Sequence, residues 1–252
     1  MSIIEEYMNL PKSCYINARV PKKTFLENPE FDLKKEEKDI LKEVVESIYW
    51  EYSLKPSILN IPSFEDDEIR IEEIEIMHVG INDKAKGEKV CSLIQKYIPY
   101  PLVIMIQCEE NIKFNISIKK INKVEKSKLV IEHMIYTEWI NTSELTEKEV
   151  DFIKSFDITK HSTNNLWQLY EGFINSINSF NLSKYKKQFE VKSIDETAKD
   201  IEALQEIEKL QNEVMSLKAK LKKESNMGTK VELNVKIKKL QKQIESLEIN
   251  LN

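Results

Sequence analysis

Hydrophobic positions mark out two different regimes along the chain. In the last fifty residues Ala203, Ile207, Leu210, Val214, Leu217 and Leu221 step by four and three. Leu233, Ile237, Leu240, Ile244, Leu247 and Leu251 repeat the pattern. Such steps are heptad seams. The two are out of phase across Glu224-Ser-Asn-Met-Gly228, where Ser225, Asn226 and Gly228 make a turn. The pattern predicts an antiparallel helical hairpin over 197–252, each arm about 30 Å long. Its seam (Leu210, Val214, Leu217, Leu221, Leu233, Ile237, Leu240, Ile244, Leu247) is expected to bury itself only partly and to oligomerise or dock on a partner. Whether the hairpin closes within one chain or is swapped between chains stays open, with a broken straight coiled coil as the other form.

Upstream, strand and helix patterns mix. Leu33, Ile40, Leu41, Val44, Val45 and Ile48 predict a helix over 33–49. Ile58-Leu-Asn-Ile reads as a short strand closed by Pro62, and Phe64-Glu-Asp-Asp-Glu as an acidic turn. Residues 69–81 alternate as a strand, but the apolar parity changes between Ile71 and Ile74. Successive strand residues face opposite sides, so a bulge near Glu72 and Glu73 is expected, or one of them points inward. Gly87–Ile98 reads as an amphipathic helix ended by Pro99. The apolar run Leu102–Ile106 reads as a strand buried on both faces, followed by strands at 112–118 and 129–136. Helices follow near 146–155, with Thr146 and Glu149 as a capping box, and near 163–180. The expected architecture is a mixed α/β (α+β) domain over 1–182 with a largely antiparallel sheet and packed helices. A linker (183–196) and the C-terminal hairpin follow.

Composition narrows the function classes. Only four glycines occur, and neither GxGxxG nor GxxxxGK[ST] is present, so glycine-loop nucleotide binding is set aside. The net charge of −5 gives no global attraction to nucleic acid. Cys14, Cys91 and Cys108 are odd in number and widely spaced, which fits a reducing cytosol better than a disulfide framework. No signal peptide and no apolar run of about 18 residues is found, so a cytoplasmic protein away from membranes is expected. His78, His133 and His161 are scattered and lack metal-ligand spacing. No metal site and no cofactor are expected, and Trp50, Trp139 and Trp167 read as packing residues.

Three local constellations remain. Glu72, Glu73 and Glu75, with Lys119 or Lys120, fit a Mg²⁺-dependent nuclease; acidic strands are also ordinary solvated faces, and the spacing typical of such enzymes is missing. Lys113, Lys119, Lys120, Lys123, Lys126 and Lys128 concentrate positive charge in one hairpin. They read either as a track for a DNA backbone or as lysines that guard an edge. Arg19, Lys22 and Lys23 flank Pro21 in Ile16–Phe25. That stretch reads as a rigid connection that pins the N-terminal segment or meets a partner's acidic surface, in preference to a phosphate grip.

Several pieces in order resemble an uncharacterised prokaryotic family, the domain-of-unknown-function family 4391. They are Asn9-Leu-Pro-Lys12, Arg19-Val-Pro-Lys-Lys23 with Phe25, Ile48-Tyr-Trp50 with Tyr52 and Leu54, Asn60-Ile61, Glu73-Ile-Glu-Ile76, Ile98-Pro-Tyr-Pro101, Thr137-Glu-Trp139 and Lys230-Val-Glu-Leu-Asn234. The tail turn Glu224–Lys230 departs from the bulkier turn of other members. The resemblance implies genes encoded beside DNA methyltransferases and helicase-type restriction subunits. By that neighbourhood the chain is expected to be a non-enzymatic accessory subunit of a restriction or antiviral defence system. It carries over no catalytic residue.

Overall fold

The apolar run that the sequence offers as a doubly buried strand sits at the centre of the main sheet. In this computed structural model, which describes residues 6–186 and 188–251, β6 (Leu102–Cys108) lies between β5 (Ile74–Ile81) and β7 (Asn111–Ile121). It runs parallel to β5 and antiparallel to β7, with Glu75 opposite Leu102 and Ile104 opposite Asn115. A parallel neighbour needs a crossover, and helix α4 (Gly87–Tyr97) supplies it. Outward from β5 come β2 (Val45–Leu54) and the edge strand β1 (Tyr15–Arg19). On the other side lie β8 (Leu129–Tyr136) and the short β9 (Ile140–Asn141), both paired with β7. The sheet is mixed and mostly antiparallel, as expected.

Each face of the sheet has its own core. On one, α4 and the segment 35–44 cover Met77, Val79, Ile81, Ile104 and Ile106. On the other, α5 (Glu147–Lys154) and α6 (Leu166–Leu182) bring in aromatic rings. Phe114 meets Phe152 edge to face at 5.4 Å and stacks on Phe156 at 5.1 Å, and Phe156 stacks on Phe173. Thr146 caps α5 in the expected box, its side chain accepting from Glu149 N while the Glu149 carboxylate accepts from Thr146 N.

Three sequence readings are corrected. The helix expected over 33–49 is much shorter. After α1 (Lys23–Leu26), α2 covers Lys35–Asp39, passes into a π-helical turn (Ile40–Val44), and gives way to β2 at Val45. Bulges in β2, between Val45 and Ser47 and again between Trp50 and Tyr52, shift its parity. Val45 and Ile48 therefore both reach the α4-side core although three residues apart, which imitates a helical period. The strand expected at 58–61 is a one-turn helix, α3 (Pro56–Leu59); Pro56 opens it and Asn60 closes it in the left-handed region at φ 56°. The strand expected over 69–81 is two strands. β4 (Arg70–Ile71) pairs with β3 (Phe64–Glu65) in a separate ribbon, and β5 starts afresh at Ile74. The parity change is thus a break at Glu72–Glu73 and not a bulge.

The chain divides into two compact units, Met1–Ile177 and Asn178–Asn252. In the second, α7 (Ile194–Lys223) and α8 (Met227–Leu251) form the hairpin, with Ser193 and Glu196 as the capping box of α7. At 1.5 Å per residue the arms are about 45 and 38 Å long, longer than expected. The turn is 224–226. Glu224 Oε1 accepts from the N–H groups of Ser225 and Asn226, so α8 already includes Gly228. Leu210, Val214, Leu217, Ile237 and Leu240 are buried together, with Leu221, Leu233, Ile244 and Leu247 packed around them. Glu213 and Lys236 pair across the two arms at 2.8 Å.

Candidate functional site

The acids of β5 begin where the strand leaves its break. Glu72 is exposed. Glu73 forms a 2.9 Å ion pair with Lys55. Glu75 turns inward and is 1% exposed. Its Oε2 accepts from the Trp50 indole at 2.5 Å, and its Oε1 accepts from Ser53 Oγ at 2.7 Å. Burial pushes the Glu75 carboxyl up to about 7, against the pull of those two hydrogen bonds. Tyr100 bonds to Glu73 and lies beside Trp50, its own hydroxyl raised by burial and by Glu73. The group is therefore a closed knot of side chains. It can hold a proton, but it offers no open carboxylate pair.

The lysines placed with these acids go separate ways, because consecutive residues of β7 face opposite sides of the sheet. Lys119 is buried and donates to the carbonyls of Ile98 and Tyr100, both at 2.7 Å. These acceptors follow the C-terminus of α4, where an ammonium is favoured. Burial nevertheless drives Lys119 down to about 7; a neutral amine still has two N–H groups for the two carbonyls. Lys120 emerges on the other side and pairs with Glu68 at 2.7 Å and Glu132 at 2.8 Å. Among the described residues no group of three or more His, Cys, Asp or Glu side chains is placed to hold a metal ion.

The lysine-rich hairpin is likewise divided. Lys113 is buried, 2.5 Å from Glu88 and over the rings of Tyr136 and Trp139. It shares its face of β7 with Asn115, Ser117 and Lys119, all beneath α4. Gln95 of α4 donates to Asn115 Oδ1 and accepts from Ser117 Oγ. Lys128 pairs with Glu125 in the turn. Of the six lysines only Lys123 and Lys126 stand exposed without an ion pair among the described residues. A phosphate track along the whole hairpin is not what the fold presents: alternation carries two of its charges into the interior.

The N-terminal basic segment separates by role as well. Lys22 Nζ donates to Val45 O at 2.5 Å and Lys42 O at 3.2 Å, which pins the loop to the start of β2. Arg19 and Lys23 are exposed and carry no ion pair among the described residues. A groove of about 400 Å³ runs between them, lined also by Val20, Pro21, Lys22, Glu46, Ser47 and Ile48.

One polar set has no sequence signal at all. His78 of β5 lies 3.4 Å from Glu51 through Nδ1 and 2.8 Å from Gln107 Oε1 through Nε2. Gln107 Nε2 donates to Glu109 O, which fixes its amide orientation. The three residues are far apart in sequence, and only the order β2-β5-β6 joins them. His161, in contrast, is a packing group. Its Nε2 sits 2.7 Å from Ser155 O, burial holds it below the usual range, and a Cβ on Gly172 would fall 2.3 Å from its ring.

The heptad seam, expected to meet a partner, is filled by the two arms of the hairpin themselves. On its outside α8 carries Met227, Val231 and Val235 at steps of four and Ile249 near its end, all more than half exposed. Among the described residues no helix is long and apolar enough to cross a membrane.

No curated protein and no solved structure matches the chain. A family model does, over residues 8–244, a span that takes in the mixed sheet, the Glu75 knot and nearly all of the hairpin. The chain belongs to the family described as domain of unknown function (DUF4391).

Proposed function

We propose that the protein is a non-enzymatic accessory subunit of a restriction or antiviral defence system, and that it meets a helicase-type or DNA methyltransferase partner through the outer face of α8. The observation that carries this reading is the solvent-facing row Met227, Val231 and Val235. At about 100° per residue the three span an arc of roughly 80°. Lys238 and Lys242 continue the same stripe, which Ile249 closes. An apolar strip on a helix whose own seam is already closed suits a helix-face contact, and its lysines suit a partner patch rimmed by acids. The engagement of Glu73, Glu75 and Lys119 inside the fold supports the non-enzymatic part of the reading.

The test is a pull-down from the native host with the full chain and with Val231→Lys/Val235→Lys. The proposal expects a helicase or methyltransferase with the native chain and its loss with the variant, while circular dichroism shows unchanged helix content. Equal recovery by both chains, or no such partner with either, overturns it.

A further inference from the structure

The edge of the sheet beside the basic groove carries a second feature that the partner reading does not use. Arg19 of β1 stands opposite Tyr49 of β2, and Tyr49 stands opposite His78 of β5. Directly opposed residues share a face. Arg19, Tyr49 and His78 therefore form one cross-strand row, on the face away from α4. The next row on that face is Ser47, Gly80 and Gln107. Helices cover this face lower down, yet Ser47, Tyr49, His78, Gly80 and Gln107 all remain partly exposed.

The chemistry of this patch is ordered. At its outer end Arg19 and Lys23 are exposed and carry no ion pair among the described residues, and Lys22, although pinned, adds its charge from the groove wall. Glu46 is the one acid on that wall. The Ser47 hydroxyl lies at the junction of groove and sheet. Gly80 keeps space beside it, since a Cβ there would sit 2.7 Å from Ser47 Oγ. One strand inward is the Tyr49 ring. One further is His78, its ring plane held by Glu51 and Gln107. Tyr49 stands one strand spacing, about 5 Å, from Arg19, so a single nucleotide unit can reach both. Cations at one end, a hydroxyl donor between, and an aromatic on an open sheet face are the parts by which sheets hold single-stranded nucleic acid.

We propose that this face binds a nucleotide unit of single-stranded nucleic acid, with the phosphate at Arg19 and Lys23 and the base on Tyr49. Arg19 supplies a planar fork of donors, and Lys23 a point charge. The negative charge of the whole chain is no obstacle, because binding of this kind depends on the local field of the groove.

The test is fluorescence anisotropy with 5′-labelled decathymidylate at low salt, using the full-length protein. The proposal expects saturable binding that weakens about tenfold or more in Arg19→Gln/Lys23→Gln. The slope of log affinity against log salt should fall by about 0.7, the contribution of the one single-strand phosphate that the two side chains share. Tyr49→Leu should weaken binding about fivefold or more with the salt slope unchanged, as loss of stacking does. Lys123→Gln/Lys126→Gln, the exposed pair of the β7–β8 turn, should bind as the native protein does. Thymidine monophosphate should displace the oligonucleotide far better than inorganic phosphate. No saturable binding, a loss confined to the Lys123/Lys126 variant, or equal competition by inorganic phosphate overturns the proposal. Arg19 and Lys23 are exposed, so their variant reads the site even if Tyr49→Leu disturbs the strand.

Discussion

Glu75 and Lys119 show how single residues of this fold are spent. Glu75 ordinarily titrates near 4.5 and here titrates near 7. Between those values the unfolded chain gives up a proton that the folded chain keeps. Its contribution to stability is therefore complete below pH 4.5 and lost as pH rises to about 7, by on the order of 3 kcal/mol at most. Glu75→Gln removes the titration and keeps an acceptor for Trp50, while the Ser53 hydroxyl can turn to accept from the new amide. The expected outcome is a variant more stable than the native protein at pH 8, with the advantage gone at pH 5. Urea midpoints at the two pH values check it; an offset that ignores pH would refute the assignment. Lys119→Met acts through hydrogen bonds. It strands the carbonyls of Ile98 and Tyr100, and at about 1–3 kcal/mol for each unsatisfied group a loss of roughly 2–6 kcal/mol is expected at pH 8. A urea titration measures it, and a loss under about 1 kcal/mol would show that water reaches those carbonyls.

Elements were legible where one physical rule acted alone. The hairpin could be read because thirty- and twenty-five-residue helices repeat one period without interruption. β6 could be read because its run Leu102–Ile106, buried on both faces, has no polar positions. Legibility failed where a local device altered the period. The bulge beside Glu46 made Val45 and Ile48 look helical, and the break at Glu72–Glu73 looked like a bulge within one strand. The candidate site was legible in part. Glu73, Glu75, Arg19 and Lys23 were singled out by type and grouping, but the inward turn of Lys113 and Lys119 depends on which face of β7 α4 covers. The His78 set was invisible because strand order joins it. The hairpin seam also sets a prediction. Leu240 is 7% exposed in the middle of the seam. Leu240→Ala is expected to cost about 2–4 kcal/mol, as buried leucine truncations do. Thermal melting followed at 222 nm should show the helical signal lost at lower temperature, and an unchanged melt would mean that the two arms do not pack through this seam.

Across the molecule the three thiols form a built-in probe of how the α/β unit opens. Cys14 and Cys91 are 0% exposed and Cys108 is 5% exposed, on different elements of that unit. Burial raises all three, Cys91 to about 12. The thiolate is the reactive form, so each is protected twice, by enclosure and by protonation. The native protein at pH 8 is therefore expected to react with a disulfide reagent far more slowly than a free thiol does, and to yield three equivalents in guanidinium. The distribution of labels carries the further information. If the unit opens as one cooperative body, partly labelled chains stay scarce, and mass spectrometry finds mainly chains with none or three. Cys108 closes β6 at the β6–β7 turn, whereas Cys91 lies within α4 and Cys14 just before β1. A population labelled at Cys108 alone would place the weakest point at that turn. A population labelled at Cys14 alone would place it at the start of the edge strand β1.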